Sequence, residues 1–235
     1  MATNTQGLAV EIWSDVVCPW CWIGATRFAR ALSGFEHRDR VAVTHHAYRL
    51  MPGMAPRPVE EIVAAKMGLP ASQAGAVFRQ VEEAAAGEGL EYHLAGTLTG
   101  DTLDAHRLIK LAAQEGRANA MLLRLYRAYL SEKVSVFDHA SLLALAAETG
   151  IDRDRAQAVL KGDAFGAEVE RDQLTLQRLG GNGVPFFLIG GKYAVSGAQS
   201  PEVFAQALEK AWADMPARPE VLADGAVCGP DGCAI

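Results

Sequence analysis

The chain has 235 residues, half of them hydrophobic, with 22 Lys and Arg against 28 Asp and Glu for a net charge of −6. So large an apolar fraction builds a core without disulfide staples, and an acidic chain with no basic stripe argues against a nucleic-acid partner. No apolar run reaches the roughly 20 residues that a membrane span needs, and the polar residues 1–7 have none of the regions of a secretory leader, so a cytoplasmic protein without membrane contact is expected.

Leu8-Ala9-Val10-Glu11-Ile12-Trp13 reads as a buried strand closed by a polar turn at Ser14 and Asp15. Residues 22–32 read as a helix that stops at Ser33-Gly34, where glycine would supply a left-handed cap. Residues 41–50, with Val41, Val43, Thr44 and Tyr48, read as a second strand. Strand, helix, strand then requires a parallel pair. Three prolines at 52, 56 and 58 mark an extended exit from the sheet. Helical patterns follow near 59–67, 71–87, 103–116, 118–131, 138–149, 153–161 and 164–179, begun in part by Asp101 or Thr102, Asp138 and Asp152. β-texture returns at 183–189 and 192–196, joined by Gly190-Gly191 as a hairpin. Ser200-Pro201 opens a last helix that runs to about Asp214.

This order predicts an α/β fold, β-α-β … β-β-α, with a four-stranded mixed sheet and a large all-helical insertion. The sheet domain is expected over 1–54 and 180–214, the insertion over 55–179, and a flexible tail over 215–235.

The chemistry centres on Cys18-Pro19-Trp20-Cys21, between the first strand and the first helix. A thiolate at Cys18 gains from the unpaired N–H groups and positive dipole end of a helix. Pro19 at the first helical position costs no hydrogen bond. Cys21 lies one turn below on the same face, as the more buried, resolving thiol. Trp20 is expected to lie exposed against substrate. Half of a zinc site is the competing reading of a C-x-x-C. The second pair, Cys228 and Cys233, has four intervening residues instead of two, and no ligand spacing emerges among the histidines. No metal and no other cofactor is expected.

A strand, then C-P-W-C-W-I-G, then a distant G-V-P-F-F resembles the DsbA branch of the thioredoxin superfamily. The Y-R-L-M-P segment from Tyr48, the D-A-H-R-L run from Asp104 and the helical insertion are similar to its FrnE-like, cytoplasmic oxidoreductases. The resemblance spans about residues 8–213. It implies a thioredoxin fold, thiol–disulfide oxidoreductase or protein disulfide isomerase activity, and a nucleophile at Cys18. It also implies a cis bond at Val184-Pro185, beside the dithiol, which would leave the Val184 backbone free to pair with an extended substrate. From the residues alone, a trans proline at a strand's first position would serve.

The expected partners are protein or small-molecule disulfides and thiols, glutathione among them, with monomer and homodimer both open. Cys228 and Cys233 flank a turn-forming tetrapeptide. The fourteen residues from Asp214 span at most about 46–50 Å, so this pair is expected to reach Cys18 and Cys21 as an auxiliary redox pair. FrnE-like proteins with such a tail pair suggest the same. His45 and His46 face opposite sides of a strand, and His106 reads as a structural histidine. Leu122, Leu125, Tyr126 and Tyr129 read as a core stripe. One rival is similar in layout, the glutathione-dependent 2-hydroxychromene-2-carboxylate isomerases and kappa-class glutathione transferases. They typically carry Ser where Cys18 stands. A zinc-held or partner-binding module is the non-enzymatic alternative.

Overall fold

β1 (Leu8–Ser14) loses its apolar/polar alternation after Ile12, where every residue is buried, as a central strand requires. The computed structural model describes residues 7–215 and two short tail strands. After β1 the chain turns through Asp15 to Val17 into α1 (Pro19–Gly34), with Pro19 at its first position and Cys18 as an extended N-cap. Gly34 is the last helical residue, and the chain leaves in extended form at Phe35. The expected left-handed cap is absent because the reversal into β2 (Val41–Ala47) is made further on, by the 3-10 turn at Arg38–Arg40.

Residues 48–56 leave the sheet without regular structure. β3 (Arg57–Pro58) then pairs antiparallel with β4 (Leu98–Thr99), a clasp that the sequence did not signal. Between these strands lie α2 (Val59–Met67) and α3 (Ala74–Ala86). The block continues with α4 (Leu103–Ala113), α5 (Ala118–Tyr126), a wider π turn at Arg127–Ser131, α6 (His139–Glu148), α7 (Arg153–Lys161) and α8 (Gly166–Arg178). Asp138 and Asp152 cap α6 and α7 as expected, accepting the N–H groups of Ser141 and Arg155. Of the two candidates at the start of α4, the Asp101 carboxylate accepts the Leu103 N–H at 3.1 Å, while the Thr102 hydroxyl donates to Asp15 instead.

β5 (Phe186–Ile189) and β6 (Tyr193–Ser196) form the expected hairpin, and α9 (Pro201–Ala213) closes the fold. β5 starts three residues later than its apolar run suggests. In the tail, β7 (Cys228–Gly229) and β8 (Gly232–Cys233) pair antiparallel with Cys228 opposite Cys233. The expected approach of this pair to Cys18 lies outside the described residues.

The main sheet has the order β2-β1-β5-β6, with β1 parallel to β2 and antiparallel to β5. This is the thioredoxin-like arrangement, and its register puts residues of one parity on each face. Leu8, Val10 and Ile12 meet Phe28 of α1 and Phe204 of α9 on one side. Trp13, Phe186 and Leu188 meet Leu176 of α8 on the other. A third core joins Val16, Val17, Cys18, Cys21 and Ile23 to the helical block. The dithiol therefore sits at the seam between sheet and insertion. Among the described residues no helix is long and apolar enough to cross a membrane.

Candidate active site

The turn before α1 is drawn tight by two backbone bonds, Cys18 N–H to the Asp15 carbonyl at 3.1 Å and Cys21 N–H to the Cys18 carbonyl at 3.0 Å. Both thiols are free. Cys21 is 1% exposed and Cys18 6%, so the first thiol is less open than its chemistry led us to expect. Burial pushes the Cys21 thiol well above its usual range, and the adjoining Cys18 adds to the shift. At neutral pH Cys21 therefore stays a thiol.

Opposite Cys18 stands a backbone wall. The Val184–Pro185 bond is cis, and the Cys18 thiol donates to the Val184 carbonyl at 3.7 Å. The Pro185 carbonyl accepts the Gly197 N–H at 2.8 Å, which ties this turn to the end of the hairpin. Pro185 rests directly on α1 at Gly24, where a Cβ would come within 2.9 Å of the Pro185 Cγ. Arg27, one turn further along α1, donates to the Ala198 carbonyl at 2.7 Å and to Glu88 at 2.6 Å, linking hairpin, helix and insertion.

A second wall is made of side chains. Asp15 is fully buried, and its carboxylate accepts the Leu50 N–H at 2.8 Å and the Thr102 hydroxyl at 2.7 Å. His106 Nε2 stands 3.4 Å from the same carboxylate and 3.2 Å from the Tyr48 carbonyl, so His106 is the satisfied structural histidine expected. Tyr92 donates its hydroxyl to the Pro19 carbonyl at 2.8 Å. Trp22 stacks between Tyr92 and Tyr126, with ring centroids 5.6 and 6.0 Å away. Burial, with the two cysteines next in importance, holds the Tyr92 phenol far above its usual range. Burial and then Cys21 do the same to Tyr126.

Trp20 is 39% exposed. With Pro19 it borders a trough of about 280 Å³ lined chiefly by apolar side chains, among them Leu50, Met51, Ile62 and Phe78. Among the described residues, Lys66 is its one charged lining residue. His45 and His46 do face apart. His46 stacks on Trp13 and bonds Asp172, while His45 contributes to a cleft beside α1. Leu122, Leu125, Tyr126 and Tyr129 are buried, as the stripe implied.

The structure thus brings Cys18, Pro19, Cys21, Val184 and Pro185 together, with Trp20 at the rim. Asp15 and Tyr92 were given no part in the site by the sequence, and Gly24 entered only as the last residue of C-P-W-C-W-I-G, without a role. Gly24 had a signal, since a glycine inside a helical pattern marks either weakness or close packing. Asp15 looked like an ordinary turn residue, and Tyr92 lay in a segment with no periodicity at all.

Residues 9–209 match the DSBA-like thioredoxin domain. The chain belongs to that family. A probable DsbA oxidoreductase from Streptomyces coelicolor is 43% identical, with a TM-score of 0.87 over 97% of this chain and 99% of its own. An uncharacterized protein of Bacillus subtilis is 24% identical over 204 residues, 85% of this chain and 94% of that one. Two more distant structures share the fold. The cytosolic disulfide reductase DsbM of Pseudomonas aeruginosa, solved with GSH, is 20% identical, with a TM-score of 0.61 over 87% of this chain and 99% of its own. A 2-hydroxychromene-2-carboxylate isomerase is 15% identical, with a TM-score of 0.65 over 86% of this chain and 95% of its own. As a DsbA-family member the protein is an oxidoreductase of the thioredoxin superfamily.

Proposed function

We propose that this protein is a FrnE-like thiol–disulfide oxidoreductase of the cytoplasm that reduces or rearranges protein disulfides, with Cys18 as nucleophile and Cys21 as resolving thiol. One observation carries the reading. Two free thiols of unequal burial open α1, and the less buried one faces the cis Val184–Pro185 turn.

In the forward step the Cys18 thiolate attacks one sulfur of a substrate disulfide. A Cys18–substrate disulfide forms and the other substrate sulfur leaves as a thiolate. Cys21 then gives up its proton and attacks Cys18 Sγ, which closes the Cys18–Cys21 disulfide and releases the second substrate thiolate. The substrate gains two electrons and the protein loses two. The reverse sequence oxidises a dithiol, and release before Cys21 attacks, followed by re-entry at another sulfur, is isomerisation. Trp20 and the Pro185 turn would flank the substrate chain, whose backbone would pair beside Val184.

The isomerase and glutathione-transferase reading rests on shared fold alone. The intact dithiol speaks against it, and a trough with one charged residue offers little to a substrate as polar as glutathione. Insulin reduction under a thiol donor tests the proposal. Cys18→Ser is expected to abolish turnover. Cys21→Ser is expected to lower it at least 100-fold while accumulating a Cys18–insulin disulfide visible by mass spectrometry. Turnover that survives Cys18→Ser would overturn the assignment.

A further inference from the structure

The segment around Tyr92 has no helix or strand, yet nearly every residue in it is anchored. Leu90 N–H donates to the Ala85 carbonyl at 2.9 Å, and the Ser131 hydroxyl donates to the Glu91 carbonyl. His93 N–H reaches the Leu130 carbonyl at 2.7 Å, and Leu94 N–H reaches the Glu82 carboxylate at 2.8 Å. Lys133 then holds the Ala95 carbonyl at 2.8 Å. A backbone left out of regular structure must find partners one by one, and here α3 and the turn after α5 supply them on both sides of one residue. What this framework delivers is a phenol, 4% exposed, aimed at the peptide between Cys18 and Cys21.

We infer that Tyr92 is a positioning residue of the redox centre, which favours the thiolate of Cys18 by donating its hydroxyl to the Pro19 carbonyl. The inference rests on the assignment of Cys18 as nucleophile. Pro19 lies inside the dithiol turn, between the two cysteines in the chain, and its carbonyl oxygen carries partial negative charge. A hydroxyl proton placed on that oxygen offsets the charge in a low-dielectric pocket, where such an interaction counts for more than in water. The same phenol stays protonated when a thiolate forms next to it, because burial and the cysteines oppose its ionisation. It is therefore a donor in every redox state. Trp22, stacked on its ring, fixes the direction of the O–H by holding the ring plane. Through this contact the helical block takes part in the chemistry of the dithiol, acting on it through Pro19 without reaching substrate.

The sign follows. Removal of the donor makes the Cys18 thiolate less favourable, and the reduced form loses more than the disulfide does. Tyr92→Phe keeps the ring, the stack and the packing. In the full-length protein, Cys18 alkylation by iodoacetamide is followed against pH with mass-spectrometric assignment of the modified cysteine. The dithiol is also equilibrated against glutathione and its disulfide.

Tyr92→Phe is expected to move the alkylation midpoint to higher pH and to shift the redox equilibrium threefold to tenfold toward the disulfide, about 15–30 mV more negative. Difluorotyrosine at position 92, a stronger donor in the same shape, is expected to move both readouts the opposite way. Near-UV circular dichroism of Trp22 checks that the stack survives. A lowered Tm with midpoint and equilibrium within twofold of the wild type would make Tyr92 a structural brace and overturn the inference. If Tyr92→Phe fails to fold, the difluorotyrosine protein decides by the same two readouts. If wild-type Cys18 shows no pH-dependent alkylation, the assignment of the nucleophile fails first.

Discussion

The dithiol stands between two walls built by different means. The Val184–Pro185 side is backbone, a cis turn seated on α1 with no space for a side chain at Gly24. The insertion side is side chains, with Asp15, Trp22, Tyr92 and Tyr126 drawn from three separate stretches and held by packing and hydrogen bonds. The first wall is shaped by a dipeptide, so it travels with a short sequence signature. The second depends on a whole helical block being in register, and no short motif announces it. The difference also divides the labour. On the proposed reading, a backbone wall would offer hydrogen bonds to an extended chain, whereas a packed wall would tune the sulfurs themselves.

The most damaging way to test the division is to push the walls apart at Gly24. Gly24→Val places methyl groups where a Cβ alone is already 2.9 Å from Pro185 and 3.4 Å from the Ala198 backbone. Overpacking of this kind costs about 1–3 kcal/mol. Insulin-reduction kcat/KM is expected to fall at least tenfold, with a Tm lower by several degrees. Wild-type kinetics in this variant would show that α1 does not position the Pro185 turn.

The packed wall can be loosened alone by acid. His45 adjoins Ser14, His106 and Leu122 around a void of about 10 Å³. Its imidazole is pushed down to about 4 from 6.5, chiefly by burial, which outweighs an opposing hydrogen bond with Asn119, and the Lys110 ammonium nearby adds to the fall. A folded-state value below the unfolded one means that the unfolded chain binds the proton first. Stability is therefore lost as pH falls below about 6.5, by an amount approaching about 3 kcal/mol near pH 4. Urea unfolding of wild type and His45→Gln at pH 7 and pH 4.5 checks this. The wild type is expected to lose more than the variant, and equal losses would clear His45 of the effect.

The smallest change sharpens the contrast within the packed wall. Tyr126 is fully buried, and among the described residues its hydroxyl has only the Ser14 side chain nearby and no well-formed hydrogen bond, unlike that of Tyr92. Tyr126→Phe is expected to be neutral or to stabilise by up to about 1 kcal/mol, and to leave the glutathione equilibrium within twofold. A shift as large as that of Tyr92→Phe would mean that ring contact alone, and not the hydroxyl on Pro19, sets the thiolate.

The order of elements was legible because each followed a local rule. β1 and β2 flank a helix and so had to be parallel, Gly190-Gly191 joined a hairpin, and Asp138 and Asp152 cap where their positions foretold. The dithiol was legible from its own spacing between a strand and a helix, and the cis bond at Pro185 only through a resemblance spanning most of the chain. Errors fell where local rules yield to tertiary contacts. Residues 183–185 looked like strand but form the turn that meets Cys18, and Gly34 looked like a cap where the chain leaves the helix extended at Phe35 and turns back only at Arg38–Arg40. The β3–β4 clasp is two residues long on each side, too short for any pattern. Tyr92 was illegible for a deeper reason. Its placement comes from partners at Glu82, Leu130 and Ser131, which meet only once the block is folded.

Cys18 and Val184 are separated by 166 positions, with the whole helical block between them. During synthesis at about 5–20 residues per second, roughly 8–33 s pass between the emergence of the thiol and that of the turn it will face. Tyr92 and Tyr126 leave the ribosome well inside that interval. The growing chain therefore acquires the aromatic residues packed beside its dithiol before the turn that faces Cys18, so the dithiol is sheltered first and completed last.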